Sequence, residues 1–158
     1  MKKTCLSNWT GALKYLFVGL IGLGSFLQSA QAQSAGAQSV FQEAQKIMQS
    51  LQQEGYTVEW VYIDVIDSVK QVQREIGTPK EYGLFVVTDE AIVRTEVAIT
   101  QQQSGQWKPY YRAHSEDKNF VFATLMQDTP QNYRIEVRIL QKQPGFRQAY
   151  FALILFHE

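Results

Sequence analysis

Cysteine is all but missing from this chain: Cys5 is the only one in 158 residues. It precedes the apolar segment that begins at Leu16, whereas a lipid-bearing cysteine would follow such a segment. If the leader described below is removed, no thiol remains. That excludes a disulfide framework, a thiolate metal site and a thiol nucleophile together. A membrane-length apolar run is also missing. Spanning a bilayer takes about 20 apolar residues, and the best candidate, Leu16 to Leu27, has twelve, broken by Gly19, Gly22 and Gly24. The two histidines, His114 and His157, belong to no H-x-x-x-H or H-E-x-x-H pattern, so no metal site is expected. G-x-S-x-G, P-loop and dinucleotide-binding patterns are absent, and the glycines between Gly19 and Gly24 belong to the leader. No cofactor is expected. There is no basic cluster able to neutralise many phosphates, which argues against nucleic acid and against anionic lipid surfaces.

What is present begins with an export signal. Lys2, Lys3 and Lys14 supply a positive start, Leu16 to Leu27 a short apolar centre, and Ser29-Ala30-Gln31-Ala32 a small-residue cut site. That combination reads as a secretory signal peptide over 1–32, with cleavage before Gln33 and a second possible cut before Gln38. A periplasmic or secreted protein with no stable membrane anchor after cleavage is expected. The mature chain would keep 126 residues, with twelve basic against fifteen acidic side chains and a net charge of −3. Residues 33–38 continue a Gln/Ser/Ala/Gly-rich stretch and read as a flexible leader. Residues 39–158 then form a single domain, large enough for a real core.

Val40, Phe41, Ala44, Ile47, Met48 and Leu51 fall on one helical face. Ser39 and Gln42 fit a capping box, and Gly55 is a natural stop. Val58, Trp60 and Tyr62 alternate as in a half-buried strand. Val69, Val72 and Ile76 sit at helical spacing, which favours a second short helix over 68–76. Beyond Tyr82 the chain reads as an antiparallel meander. Its strands include Leu84 to Val87, Val93 to Ile99, Trp107 to Ala113, Phe120 to Met126, Tyr133 to Ile139 and Arg147 to His157, with a hairpin turn at Ser104-Gly105. Phe120 to Met126 looks buried on both sides. The density of apolar residues from Arg147 to His157 suggests a central strand. The expected fold is therefore α+β, an N-terminal amphipathic helix packed on an antiparallel, meander-like sheet. This order of one helix and then strands resembles cystatin-like folds.

Two groups of residues carry candidate chemistry. His114, Glu116 and Asp117, with Ser115 between them, could supply a general base, its orienting carboxylate and a nucleophile. Trp107, Tyr110, Tyr111 and Arg112 combine rings with a cation, a pattern that stacks on flat ligands or anchors a partner. Alternation would place Trp107 with Tyr111 and Tyr110 with Arg112. The paired carboxylates Asp64/Asp67 and Asp89/Glu90 lie at strand ends, where turn and cap roles are the better account. The functional expectation is an exported non-catalytic binding module, holding a small ligand or an envelope protein. The alternatives are a small envelope hydrolase built on His114, or an inhibitor or secretion accessory protein.

Overall fold

The computed structural model describes residues 36–77, 81–116, 120–126, 129–146 and 148–158. The expected signal peptide and Asp117 lie outside these residues. The first element, α1, spans 36–53. Val40, Ala44 and Leu51 are buried along one stripe, with Ile47 and Met48 packed beside them. Phe41, expected on that stripe, turns away and is 55% exposed. The helix starts upstream of Ser39, which lies inside it rather than capping it. Its end matches the expectation. Gly55 has φ 92°, Tyr56 N–H donates to Leu51 C=O and Gly55 N–H to Gln52 C=O. This pair of bonds, with a left-handed glycine, is a Schellman cap.

Among the described residues eight strands follow: β1 (Thr57–Ile66), β2 (Val69–Ile76), β3 (Glu81–Thr88), β4 (Ile92–Gln103), β5 (Gln106–Glu116), β6 (Phe120–Met126), β7 (Gln131–Lys142) and β8 (Ala149–His157). They form two antiparallel sheets rather than one. Sheet A has the order β1-β8-β3-β6 and sheet B the order β2-β7-β4-β5. Among the described strands, only β4 and β5 are both consecutive in sequence and hydrogen-bonded to each other. Their turn has positive φ at Ser104 and Gly105, the requirement of a tight hairpin. The meander is thus corrected to a jelly-roll sandwich with a helix laid on one outer face. The cystatin-like arrangement of one sheet under a helix does not hold.

Two cores explain the sequence pattern. Between the sheets lie Tyr82, Leu84 and Val86 of β3, Phe151, Leu153 and Leu155 of β8, and Val97, Ile99, Tyr133, Ile135 and Val137 of sheet B. Under α1 lie the alternate residues of the same β3 and β8, namely Phe85, Val87, Ala152, Ile154 and Phe156. Covered on both faces, β8 has no polar alternation, and it does sit centrally in its sheet. Sheet B has one covered face, so β4 and β7 alternate cleanly.

Three local expectations are corrected. Residues 69–76 form a strand, not a short helix. Its inward positions include Lys70 and Arg74, which hid the alternation. β6 is an edge strand buried on one face only. Its other face leaves Phe120 and Phe122 each 45% exposed and Met126 65% exposed. In β1 the register shifts between Val58 and Trp60. This bulge sends Val58 under the helix and Trp60 and Tyr62 between the sheets.

Candidate functional site

The outer face of sheet B carries three of the residues singled out by sequence. Trp107 packs under the guanidinium of Arg134, 4.2 Å from its ring centroid. His114 lies opposite Glu96, with Nδ1 3.8 Å from Oε2, and Arg138 Nε approaches the same carboxylate at 3.8 Å. Arg138 also donates to Glu136 Oε1 at 2.7 Å, and Gln71 donates to the other oxygen of Glu136. The bond from Gln71, and then that from Arg138, holds the Glu136 carboxyl below its ordinary range. Arg112 belongs to the same exposed face and adds to that lowering through its charge. A lattice of hydrogen bonds and charged side chains therefore crosses from Gln71 on β2 to β5.

Tyr110 and Tyr111 do not join that face. The β4–β5 register pairs Ile99 with Tyr111 and Thr100 with Pro109, leaving Tyr110 as the extra residue of a bulge. Both tyrosines consequently pack on the inter-sheet core. Tyr111 Oη donates to Phe122 C=O at 2.8 Å, and Met126 N–H donates to Tyr110 Oη at 2.9 Å. The pair ties the edge of sheet B to the edge of sheet A. Tyr110 also meets Tyr133 edge-on, and burial pushes the Tyr133 hydroxyl up to about 12.

The histidine cluster is likewise split. Ser115 is buried and its Oγ accepts the Thr95 N–H, while His114 is exposed on the opposite side of the strand. A Ser115–His114 pair is not assembled. Glu116 is paired with Arg94 in the ladder. His157 ends β8 in the other sheet, edge-on to Tyr82. The carboxylates at strand ends have turn and clamp roles. Asp89 is buried, accepting the N–H groups of Ala91 and Tyr150, and burial pushes its carboxyl up. Asp64 closes the β1–β2 margin. It is held by Lys70 and by the Tyr62 hydroxyl, which together lower it to about 2. Beside them Tyr62 stacks on Trp60 and Arg74 lies 4.8 Å from the Trp60 ring centroid.

The feature that sequence reading missed lies on the outer face of sheet A. α1 covers β1, β8 and β3 but leaves β6 open. Phe156 stacks on Phe85 (5.5 Å between centroids, 17°) and on Phe122 (6.3 Å, 29°). Phe85 contacts Phe122 at 5.0 Å and Phe120 at 6.4 Å, and Tyr56 stands perpendicular to Phe156 at 5.4 Å. Five rings from the helix cap and three strands thus run without a break into solvent at the β6 edge. At the end of this array a cavity of about 140 Å³ opens between Tyr56, Phe122 and Phe156, with Glu81 and Glu158 at its border. A second, open groove lies between α1 and β1, bordered by Phe41, Ile63 and Tyr150. The sequence signal for the array was the alternation of Phe120 and Phe122 with Val121 and Ala123. It shows two apolar faces but not that one of them lies at a free edge.

No protein-family model and no curated protein matches the chain. Among solved structures it is similar to a pre-peptidase C-terminal domain of collagenase from Bacillus anthracis. That match has 13% identity and a TM-score of 0.44, covering 62% of this chain and 89% of that one. It is also similar to the Yersinia pseudotuberculosis-derived mitogen, at 12% identity and a TM-score of 0.43, covering 65% and 88%. A periplasmic inhibitor of g-type lysozyme from Aeromonas hydrophila is similar at 10% identity and a TM-score of 0.39, covering 66% and 90%.

Proposed function

We propose that the chain is an exported, non-catalytic binding module of the cell envelope or exterior, and that it recognises its partner through the aromatic array at the β6 edge. Export rests on the Lys2/Lys3 start, the short apolar centre and the Ala30-x-Ala32 site. Recognition rests on one observation: Phe120 and Phe122 hold nearly half their surface in water while packed on a ring cluster, Phe120 edge-on to Phe85 and Phe122 stacked on Phe156. Preorganised aromatic rings give large contact area at little entropic cost and dominate binding energy at interfaces. The ligand is a small molecule or an envelope protein.

The test compares mature wild-type protein with a Phe120→Ser/Phe122→Ser variant. Each ring is still more than half buried against Phe85 or Phe156, so the thermal midpoint should fall by several degrees, while an unchanged β-sheet circular dichroism spectrum shows that the variant remains folded. Native mass spectrometry and capture from an envelope extract should show a ligand or partner on the wild type and none on the variant. Equal capture by both would overturn the reading. A second reading places recognition on the outer face of sheet B, favoured by the Trp107–Arg134 contact on the same face as Arg112. It predicts that Trp107→Ala, rather than the phenylalanine variant, loses the partner.

A further inference from the structure

We infer that the cavity at the end of the aromatic array takes an alkylammonium group, presented either by a lysine side chain of a partner protein or by a free small amine. The inference rests on the reading of the array as a recognition surface and names the chemistry it accepts. Strand periodicity decides what lines the site. The register pairs Gly83 with Phe156 and with Thr124, and Phe85 with Phe122. Glu81, Gly83 and Phe85 therefore share the outer face of β3 with Phe122 and Thr124 of β6 and Phe156 of β8. Gly83 carries no side chain, so the Phe156 ring lies directly over its backbone and space opens beside the ring.

The walls and rim have complementary chemistry. Tyr56 and Phe156 stand perpendicular and form a corner of aromatic surface. Phe122 closes a third side, 6.3 Å from Phe156 between centroids. Aromatic faces attract a cation through their quadrupole, most strongly where water is partly excluded. Glu81 and Glu158 add two carboxylates at the border, and the described lining residues include no lysine or arginine. His157, also at the border, has Nδ1 engaged with the Glu158 carbonyl. Rings with carboxylates favour a cation over an anion or a neutral group. The volume of about 140 Å³ is well below the roughly 300 Å³ of a pocket for a drug-sized ligand. It suits one head group, not a whole metabolite.

The test is an NMR titration of the mature protein at low salt and pH 8, followed by backbone amide shifts. The probes are butylammonium chloride, Nα-acetyl-lysine methylamide and its uncharged counterpart Nα-acetyl-norleucine methylamide. The expected result is saturable shifts centred on Gly83, Phe122, Thr124 and Phe156 with both amines and none with the norleucine compound. Phe122→Ala and Glu81→Gln should each weaken binding about fivefold, and raising salt to about 0.5 M should weaken it further. Tighter binding of the lysine compound than of butylammonium assigns the site to a partner's lysine, and equal binding assigns it to a free amine. Equal shifts from the norleucine compound, no saturation by about 100 mM amine, or no effect of Glu81→Gln would overturn the inference. Because Glu81→Gln leaves every ring in place, the two readings fail separately. A silent titration with partner capture still lost on replacing Phe120 and Phe122 removes the ammonium site alone. Capture indifferent to those rings removes the recognition surface itself.

Discussion

Gly83 occupies a mid-strand position that other residues fill only at a cost. A Cβ there would lie 2.2 Å from Phe156 Cζ and 2.5 Å from Cε1. Phe156 is buried, with the mutually touching Phe85 and Phe122 rings packed against it, so its room to retreat is toward the cavity it lines with Tyr56. Gly83→Ala would relieve the chain entropy of a strand glycine, a gain of about 0.5–1 kcal/mol. The overpacking should cost more, about 1–3 kcal/mol, for a net loss of roughly 1–2 kcal/mol. Urea denaturation measures it, and an alanine variant as stable as wild type would show that Phe156 is not held over that backbone. The aromatic segment on β5 departs from simple alternation at the same scale. Strict alternation from Trp107 to Arg112 separates Tyr110 from Tyr111. One extra residue in the ladder brings both inward. Nothing in the residue types announces the bulge, because its position is set by the pairing with β4.

At the scale of elements, the edges of the sandwich were the least legible parts. β2 resembled a helix because Val69, Val72 and Ile76 fit that spacing. Its true inward row is Lys70, Val72, Arg74 and Ile76. The two cations are tolerated inward because they sit at the margin, where Asp64, Glu59 and the Trp60 ring receive them. Central β8 was legible as central because both faces are covered and both had to be apolar. β6 shows the same two-sided apolarity for a different reason, with one face in the core and the other turned to solvent. Its hydrogen-bonding edge is held by the two tyrosines of β5, and the two bonds can be told apart. Tyr110→Phe removes the acceptor of Met126 N–H, so exchange of that amide should accelerate. Tyr111→Phe frees only the Phe122 carbonyl and should leave Met126 exchange nearly unchanged. Each should cost about 0.5–1.5 kcal/mol. Identical exchange at Met126 in the two variants would mean that Tyr110 does not pin that edge.

For the whole molecule, the helix-then-strands order was readable, but the pairing was not. Short turns make a meander the economical expectation, whereas the chain pairs β1 with β8 and β2 with β7 across most of its length. What distinguishes the two is the location of doubly apolar strands. A single sheet under one helix needs one covered face. β3 and β8 have two, so a layer was needed on each side of sheet A. Those layers are unequal in what they contribute. The inter-sheet core draws on both sheets, while the second core depends on a few side chains of α1, chiefly Val40, Ala44, Ile47, Met48 and Leu51. A chain begun at Tyr56 should therefore keep the sandwich. Removing the larger of these side chains costs about 1.5–3 kcal/mol each before the helix's ordering entropy is returned. A loss of roughly 3–6 kcal/mol is expected against a typical total of about 5–15 kcal/mol. The shortened protein should retain its β-sheet circular dichroism and dispersed amide spectrum. It should also bind more ANS than the full protein, through newly uncovered Val87, Ala152 and Ile154, which α1 otherwise covers. Collapse of amide dispersion on removing α1 would show instead that the two cores fold as one cooperative unit, with sheet A unable to hold β8 from one side.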